Sequence, residues 1–221
     1  AELRALAAIA APNALTAATR MALDLTNTAV LGHLASPSGR PTALYLDATS
    51  LAGLWLGLSF SCFGRACGQA TVVLTSQAFG AGNSHLVGVW LLTGLAFFTL
   101  SAAPLSGLML LTPRVLGLIV DDAPAVALAG RYALLSIPGA LPMLWCWCVS
   151  GWFIAQRLAL PELLVYALGI PVNVGVMLLL IHGTGAAAGL GFDGAPLGTC
   201  VTRTCSCAAL GAFAALLHRR G

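Results

Sequence analysis

Six apolar stretches, each about as long as a bilayer is thick, fill most of this chain and leave room for little except spanning helices. A helix that crosses a membrane needs roughly 20 mostly apolar residues. The first candidate runs from about Leu6 to Leu34, the second from Ala43 to Gln69 or beyond, and the third from Val87 to Leu111. The fourth covers Tyr132 to Ile154, the fifth Leu158 to Ile181 and the sixth Ala195 to Leu217. Only 8% of residues are charged and 59% are hydrophobic. Water-soluble domains carry about 25% charge, so a soluble fold of this composition would have almost nothing polar to cover it. The reading is an all-α, polytopic membrane protein. It is a bundle of six transmembrane helices, a single transmembrane domain over residues 1–221, with the lipid bilayer as its surroundings.

The breakers fall between the apolar runs. Ser36-Pro37-Ser38-Gly39-Arg40-Pro41 reads as a loop after the first helix. Leu111 to Gly130 carries Pro113, Arg114, Asp121, Asp122 and Pro124 and reads as leaving the membrane. His182 to Gly194 is glycine-rich and reads as a loop, and Gln156-Arg157 makes a short turn. The first stretch is too long for the core of a signal peptide. Arginine bias favours an inside N-terminus, with Arg4, Arg157, Arg219 and Arg220 inside and Arg40, Arg114 and Arg131 outside.

The formal net charge of +3 is too small to suggest a nucleic-acid partner. All ten basic residues are arginine, which fits a coding bias. The seven cysteines form no C-x-x-C pair and sit mostly in apolar runs, where cysteine acts as a small buried residue. That pattern argues against a zinc site or a disulfide framework. Small residues at Gly53, Gly57, Ser61, Gly64 and Gly68 suggest close helix packing.

Polar residues inside the spans carry most of the functional information, because ionisable groups in lipid are costly and face a cavity or a partner. On the first helix Asn13, Thr16, Arg20, Asp24 and Asn27 recur at spacings of three and four, so they share one face. Arg20 and Asp24, four apart, are placed to pair. They are either a self-neutralising pair or, with Asn13 and Asn27 beside them, part of a wet pathway in which Asp24 carries a proton or cation. Arg203 lies near the middle of the sixth helix beside Thr199, Thr202 and Thr204, with Asp24 and Asp47 as candidate partners. Asp47 and Glu162 lie near helix ends and read as interfacial. Pro138, Pro142, Pro161 and Pro171 interrupt the fourth and fifth helices, as prolines do in broken transporter helices.

One stretch is more specific. The second helix runs without a stop into Ser76-Gln77-Ala78-Phe79-Gly80-Ala81-Gly82-Asn83, a small, uncharged turn. Gly80 and Gly82 suit a tight reversal, and Gln77 and Asn83 can satisfy freed backbone groups. This turn resembles a signature of the multidrug and toxin extrusion (MATE) transporters. The likeness continues through Leu46-Asp47-Ala48-Thr49-Ser50-Leu51-Ala52 and through Thr26-Asn27-Thr28-Ala29-Val30-Leu31-Gly32-His33-Leu34. It goes on through Arg131-Tyr132, Ile137-Pro138-Gly139 and Phe153-Ile154-Ala155-Gln156, then Asn173 and Gly194-Ala195-Pro196-Leu197-Gly198-Thr199.

The resemblance implies an efflux carrier for an organic, often cationic, solute, driven by a sodium ion or proton gradient. Its fold would be two six-helix lobes around a cleft, of which this chain resembles the N-terminal lobe. The missing C-terminal lobe would then be its partner. Some family members bind a cation through an aspartate on the first helix, an asparagine and an aspartate on the fifth and a threonine on the sixth. The matching positions here are Asn27, Asn173, Met177 and Thr199, so two carboxylates are absent and Asp24, one turn before Asn27, is the candidate substitute. The implied pathway comprises Asp24, Asn27, Arg20, Asn173, Thr199, Gln77 and Gln156.

Two other kinds of protein fit less well. A related flippase for a lipid-linked substrate would carry more basic residues in its cleft than Arg20, Arg65 and Arg203. An intramembrane serine protease would need G-x-S-G, but Pro104-Leu105-Ser106-Gly107 lacks the first glycine, and His182 stands at a helix end. The chain therefore reads as a non-enzyme. A non-transporting scaffold from a truncated gene is the remaining alternative.

Overall fold

In lipid every backbone polar group must find its partner within its own segment, which favours long uninterrupted helices. The computed structural model describes residues 2–32, 42–184 and 187–218. Among them six long helices follow in order: α1 (Glu2–Gly32), α2 (Thr42–Gly80), α3 (Ser84–Leu110), α4 (Ala123–Ala155), α5 (Leu160–His182) and α6 (Gly194–His218). The loop at 36–41, the exit at His33-Leu34, and Arg40, Arg219 and Arg220 lie outside the described residues, as does the side chain of Arg4.

Five of the six helices, α2 to α6, are long and apolar enough to cross a membrane. The first of the six expected helices, α1, is the least apolar. At 31 residues it is long enough, but its polar stripe lowers its hydropathy. Two further boundaries move. The stretch expected to leave the membrane between Leu111 and Gly130 holds a short helix at Thr112–Leu116 and the first turns of α4. The glycine-rich segment after α5 forms a two-residue antiparallel ladder, Gly183–Thr184 against Ala187–Ala188, then a 3-10 turn at Gly191–Asp193.

Local chemistry sets the helix ends. Asn83 caps α3 by accepting from the Leu86 amide at 3.0 Å, and Asp122 caps α4 by accepting from the Ala125 amide at 3.2 Å. The turn before α3 needs a left-handed residue, and Gly82 supplies it with φ 71°. Pro124 and Pro161 sit in the first turns of α4 and α5, where a missing amide costs little.

Pro138 acts differently. It stands in a 3-10 turn at Ile137–Gly139 inside α4. The Cys200 thiol of α6 donates to the freed carbonyls of Leu135 and Ser136 at 3.5 and 3.6 Å. An added Cβ on Gly139 would fall 2.7 Å from the Cys200 sulfur, so kink and neighbour fit closely.

α4 is the most buried of the apolar helices and packs against α2, α3 and α6. α5 packs against α1 and α6, and α1 touches the first half of α2. The helices α1, α5, α6, α4 and α2 thus form a ring, with α3 behind it. α2 carries one π turn at Gly57–Ser61, a feature that often marks functional sites in helices.

The small residues of α2 divide in two. Gly64 and Gly68 lie against Trp147, as expected for packing. Gly53 and Gly57 have no atom near a would-be Cβ and, with Ser61, line an open cleft instead. The packing reading is corrected for these three.

A methyl group at Gly64 would overlap the Trp147 ring and crowd Leu144. Gly64→Ala is expected to lower the thermal midpoint in detergent, at a cost of about 1–3 kcal/mol for overpacking. Gly53→Ala, facing open space, should leave it unchanged or raise it. Equal melting of the two variants would remove the Trp147 contact from the packing account.

Candidate functional site

The polar face of α1 turns into the ring rather than toward lipid. Arg20, Leu23, Asp24 and Asn27 border a small cavity of about 100 Å³. α5 adds Tyr166, Gly169 and Asn173 to its wall, and α6 adds Thr199, Thr202, Arg203 and Ser206. A wider cleft of about 650 Å³ adjoins it, edged by α2. Asp24, Asn27, Arg65, Met143, Thr199 and Arg203 border both spaces. The structure therefore places Arg20, Asp24, Asn27, Asn173 and Thr199 around one cavity.

It does not bring Gln77 and Gln156 to them. Gln77 is exposed in the last turn of α2, where its backbone carbonyl accepts from the Ala81 amide at 3.0 Å. Gln156 closes α4, with its side chain donating to the Trp152 carbonyl at 3.0 Å. Both are helix-end residues outside the cleft, because the cleft opens between the middles of the helices.

The expected Arg20–Asp24 pair is also corrected. Arg20 reaches across to α5 and pairs with Glu162. Its guanidinium lies 4.6 Å from the centre of the Tyr166 ring, a cation–π contact. Glu162 is fully buried, not interfacial as its place near the helix start suggested. The reason is that α1 packs along α5 and covers the first turn of that helix. Nothing in the sequence linked these residues, since they are 142 positions apart.

Freed from Arg20, Asp24 sits in the electrostatic field of Arg203 and Arg65. Arg203, which the sequence offered as a partner of Asp24, lines the same two spaces without forming a salt bridge to it. Asp47 is exposed on α2 and borders neither space. Sequence reasoning passed over Arg65 as a partner of Asp24. The available signal was an ionisable residue at the middle of an apolar helix.

Oxygen atoms complete the wall. The Thr202 hydroxyl donates to the Gly198 carbonyl at 3.0 Å and accepts from Asn173 Nδ2 at 3.2 Å. That contact turns Asn173 Oδ1 away, and it is buried without a hydrogen-bond partner, as is Asn27 Oδ1. The Thr199 hydroxyl donates to the Ala195 carbonyl at 3.1 Å and keeps its lone pairs. The position of Met177 lies beneath Gly198 in an apolar cluster, outside the cleft. Asn27, Asn173, Thr199 and Asp24 thus bring two amide oxygens, a hydroxyl and a carboxylate to the same cavity as the guanidiniums of Arg65 and Arg203.

Removing one partner of a buried ion pair leaves the other charge stranded, at a cost of about 3–5 kcal/mol, whereas an apolar pair of similar volume is often tolerated. Glu162→Ala is thus expected to lower thermal stability strongly. The double replacement Arg20→Met with Glu162→Leu should recover most of the loss. Simple additivity of the single effects in a double-mutant cycle would show that the pair does not hold α1 to α5.

The family model MatE matches residues 12–179. The probable multidrug resistance protein NorM of Bradyrhizobium diazoefficiens is 30% identical over 209 residues, covering 95% of this chain and 42% of that protein. Multidrug and toxin extrusion protein 2 of Mus musculus is 29% identical over 182 residues, covering 82% of this chain and 30% of that protein. The crystal structure of the eukaryotic MATE transporter AtDTX14 superimposes with a TM-score of 0.85 at 24% identity, over 96% of this chain and 45% of that one. The chain spans less than half the length of each of these relatives. With the family model matched over most of its length and the helical ring superimposed on a solved relative, this chain belongs to the MATE family of multi-pass membrane transporters and has the extent of one lobe.

Proposed function

We propose that this chain forms one lobe of a secondary active efflux carrier, which exchanges an organic solute for sodium ions or protons across a membrane. The observation that carries the reading is Asp24. It is a carboxylate at the edge of a 650 Å³ cleft, in the field of two cleft arginines and beside the buried oxygens of Asn27 and Asn173. A titratable or cation-binding group that also borders the solute space is what coupling requires, because each ligand must alter the affinity for the other.

The chain covers less than half of each relative, and a second lobe of similar size would supply the rest of the solute space. The relatives' names, a multidrug and toxin extrusion protein and a multidrug resistance protein, support efflux. A proton would reside on Asp24, and a sodium ion would add the two amide oxygens and Thr199. The gathering of Arg20, Arg65 and Arg203 at one cavity favours a second reading, a flippase for a lipid-linked anionic substrate. Ser106 and His182, the candidate protease pair, border neither space.

The test is transport. The complete reading frame that encodes this chain, reconstituted in vesicles, should move solute when a sodium or proton gradient is imposed. Absence of gradient-driven movement across a broad solute panel would overturn the reading. Asp24→Asn should lower gradient-driven flux by tenfold or more, on the order of the loss of one charged interaction. Wild-type flux in that variant would return Asp24 to a structural role.

A further inference from the structure

The charge that this chain brings to the cleft does not match the cationic solute that the family resemblance implied. Arg20, Arg65 and Arg203 all border the inner cavity, against a single lining carboxylate, Asp24. Glu162 adds a second negative charge behind the wall, but its partner is Arg20. Among the described residues neither Arg65 nor Arg203 forms a salt bridge within 4.0 Å. Both act on Asp24 only at longer range. Arg20 Nε is buried in the same region without a hydrogen-bond partner. With the two carboxylates set against three guanidiniums, the surroundings of this cavity hold one positive charge in excess.

We propose that this half of the cleft binds the acidic group of an organic anion, a carboxylate or a phosphate, on Arg65 and Arg203. The proposal rests on the carrier reading and supplies its solute class. Planar guanidinium groups are the side chains best matched to such anions, which they hold through paired, charge-assisted hydrogen bonds. The walls supply the rest of the ligand. Trp147, Met143 and Leu23 border the same cavity and offer apolar surface for an aromatic or acyl body. An organic cation of that size would share the cavity with both guanidiniums as well as with Asp24, and like charges held close together repel. Asp24 becomes a competitor of the anion for the two guanidiniums.

The experiment compares two probes of one shape and opposite charge. Radiolabelled benzoate and benzyltrimethylammonium are titrated onto the purified product of the complete reading frame in nanodiscs of phosphatidylcholine alone. Benzoate should bind at least tenfold more tightly. Arg65→Gln and Arg203→Gln should each weaken benzoate by tenfold or more, as loss of a charged hydrogen bond does. Arg203→Lys, which keeps the charge, should weaken it less, and Asp24→Asn should tighten it. Thermal melting of each variant separates lost binding from lost folding.

Nanodiscs containing phosphatidylglycerol distinguish the two sources of the anion. Displacement of benzoate that depends on Arg65 and Arg203 would assign the site to a lipid headgroup. Its absence would assign the site to a soluble organic acid. Tighter binding of benzyltrimethylammonium, or benzoate binding unchanged in both glutamine variants, would overturn the proposal and leave the vesicle flux assay to judge the carrier reading separately. Failure of a folded chain to bind benzoate at all would also overturn it.

Discussion

A charge placed between helices in lipid must meet another charge or face a polar cavity, and the Arg20–Glu162 pair is where this fold meets charge with charge. The pair joins α1, the least apolar helix, to α5, one of the most apolar. Without that join, α1 would carry Arg20 into lipid or leave the bundle. With it, the polar stripe faces inward, and the ring of α1, α5, α6, α4 and α2 encloses a space. Tyr166 adds its ring face to the guanidinium from one turn along α5. The cleft thus follows from an electrostatic requirement met at one point of its wall.

The same requirement explains why α2 behaves as two helices in one. Below the π turn, Gly64 and Gly68 let α2 approach Trp147 of α4 closely, since no Cβ stands between them. Before it and at its first residue, Gly53 and Gly57 face open space and widen the cleft. A π turn adds a residue to the helix and shifts which side faces inward. The turn at Gly57–Ser61 stands at the change from packing to cavity lining. Arg65, one turn further, still reaches the cleft edge.

Much of this was legible because lipid reduces the choices. Long apolar runs gave six helices in the right order, and spacing of three and four put Asn13, Thr16, Arg20, Asp24 and Asn27 on one face. What spacing could not show was what that face meets. Arg20 and Asp24 satisfy the local rule for a helical pair, yet the tertiary partner, Glu162, prevailed because burial strengthens an ion pair that exposed helix surface leaves weak. Glu162 looked interfacial because position along a helix says nothing about coverage by another helix. Gln77 and Gln156 sit in segments that mark the family, and there the helix ends, rather than the cleft, account for them.

The wall of the cleft is built at some expense to stability. Asn27 Oδ1 and Asn173 Oδ1 are buried acceptors without protein donors. Each such group costs about 1–3 kcal/mol if nothing else satisfies it. An apolar side chain in either place would remove that cost and would suit the surrounding helices. Native proteins break local rules of this kind chiefly at functional sites. Water, a cation or a solute entering the cavity would satisfy both oxygens and recover the lost hydrogen bonding. The two oxygens are thus best explained as groups kept for an occupant of the cavity, since packing alone would favour apolar side chains in both places.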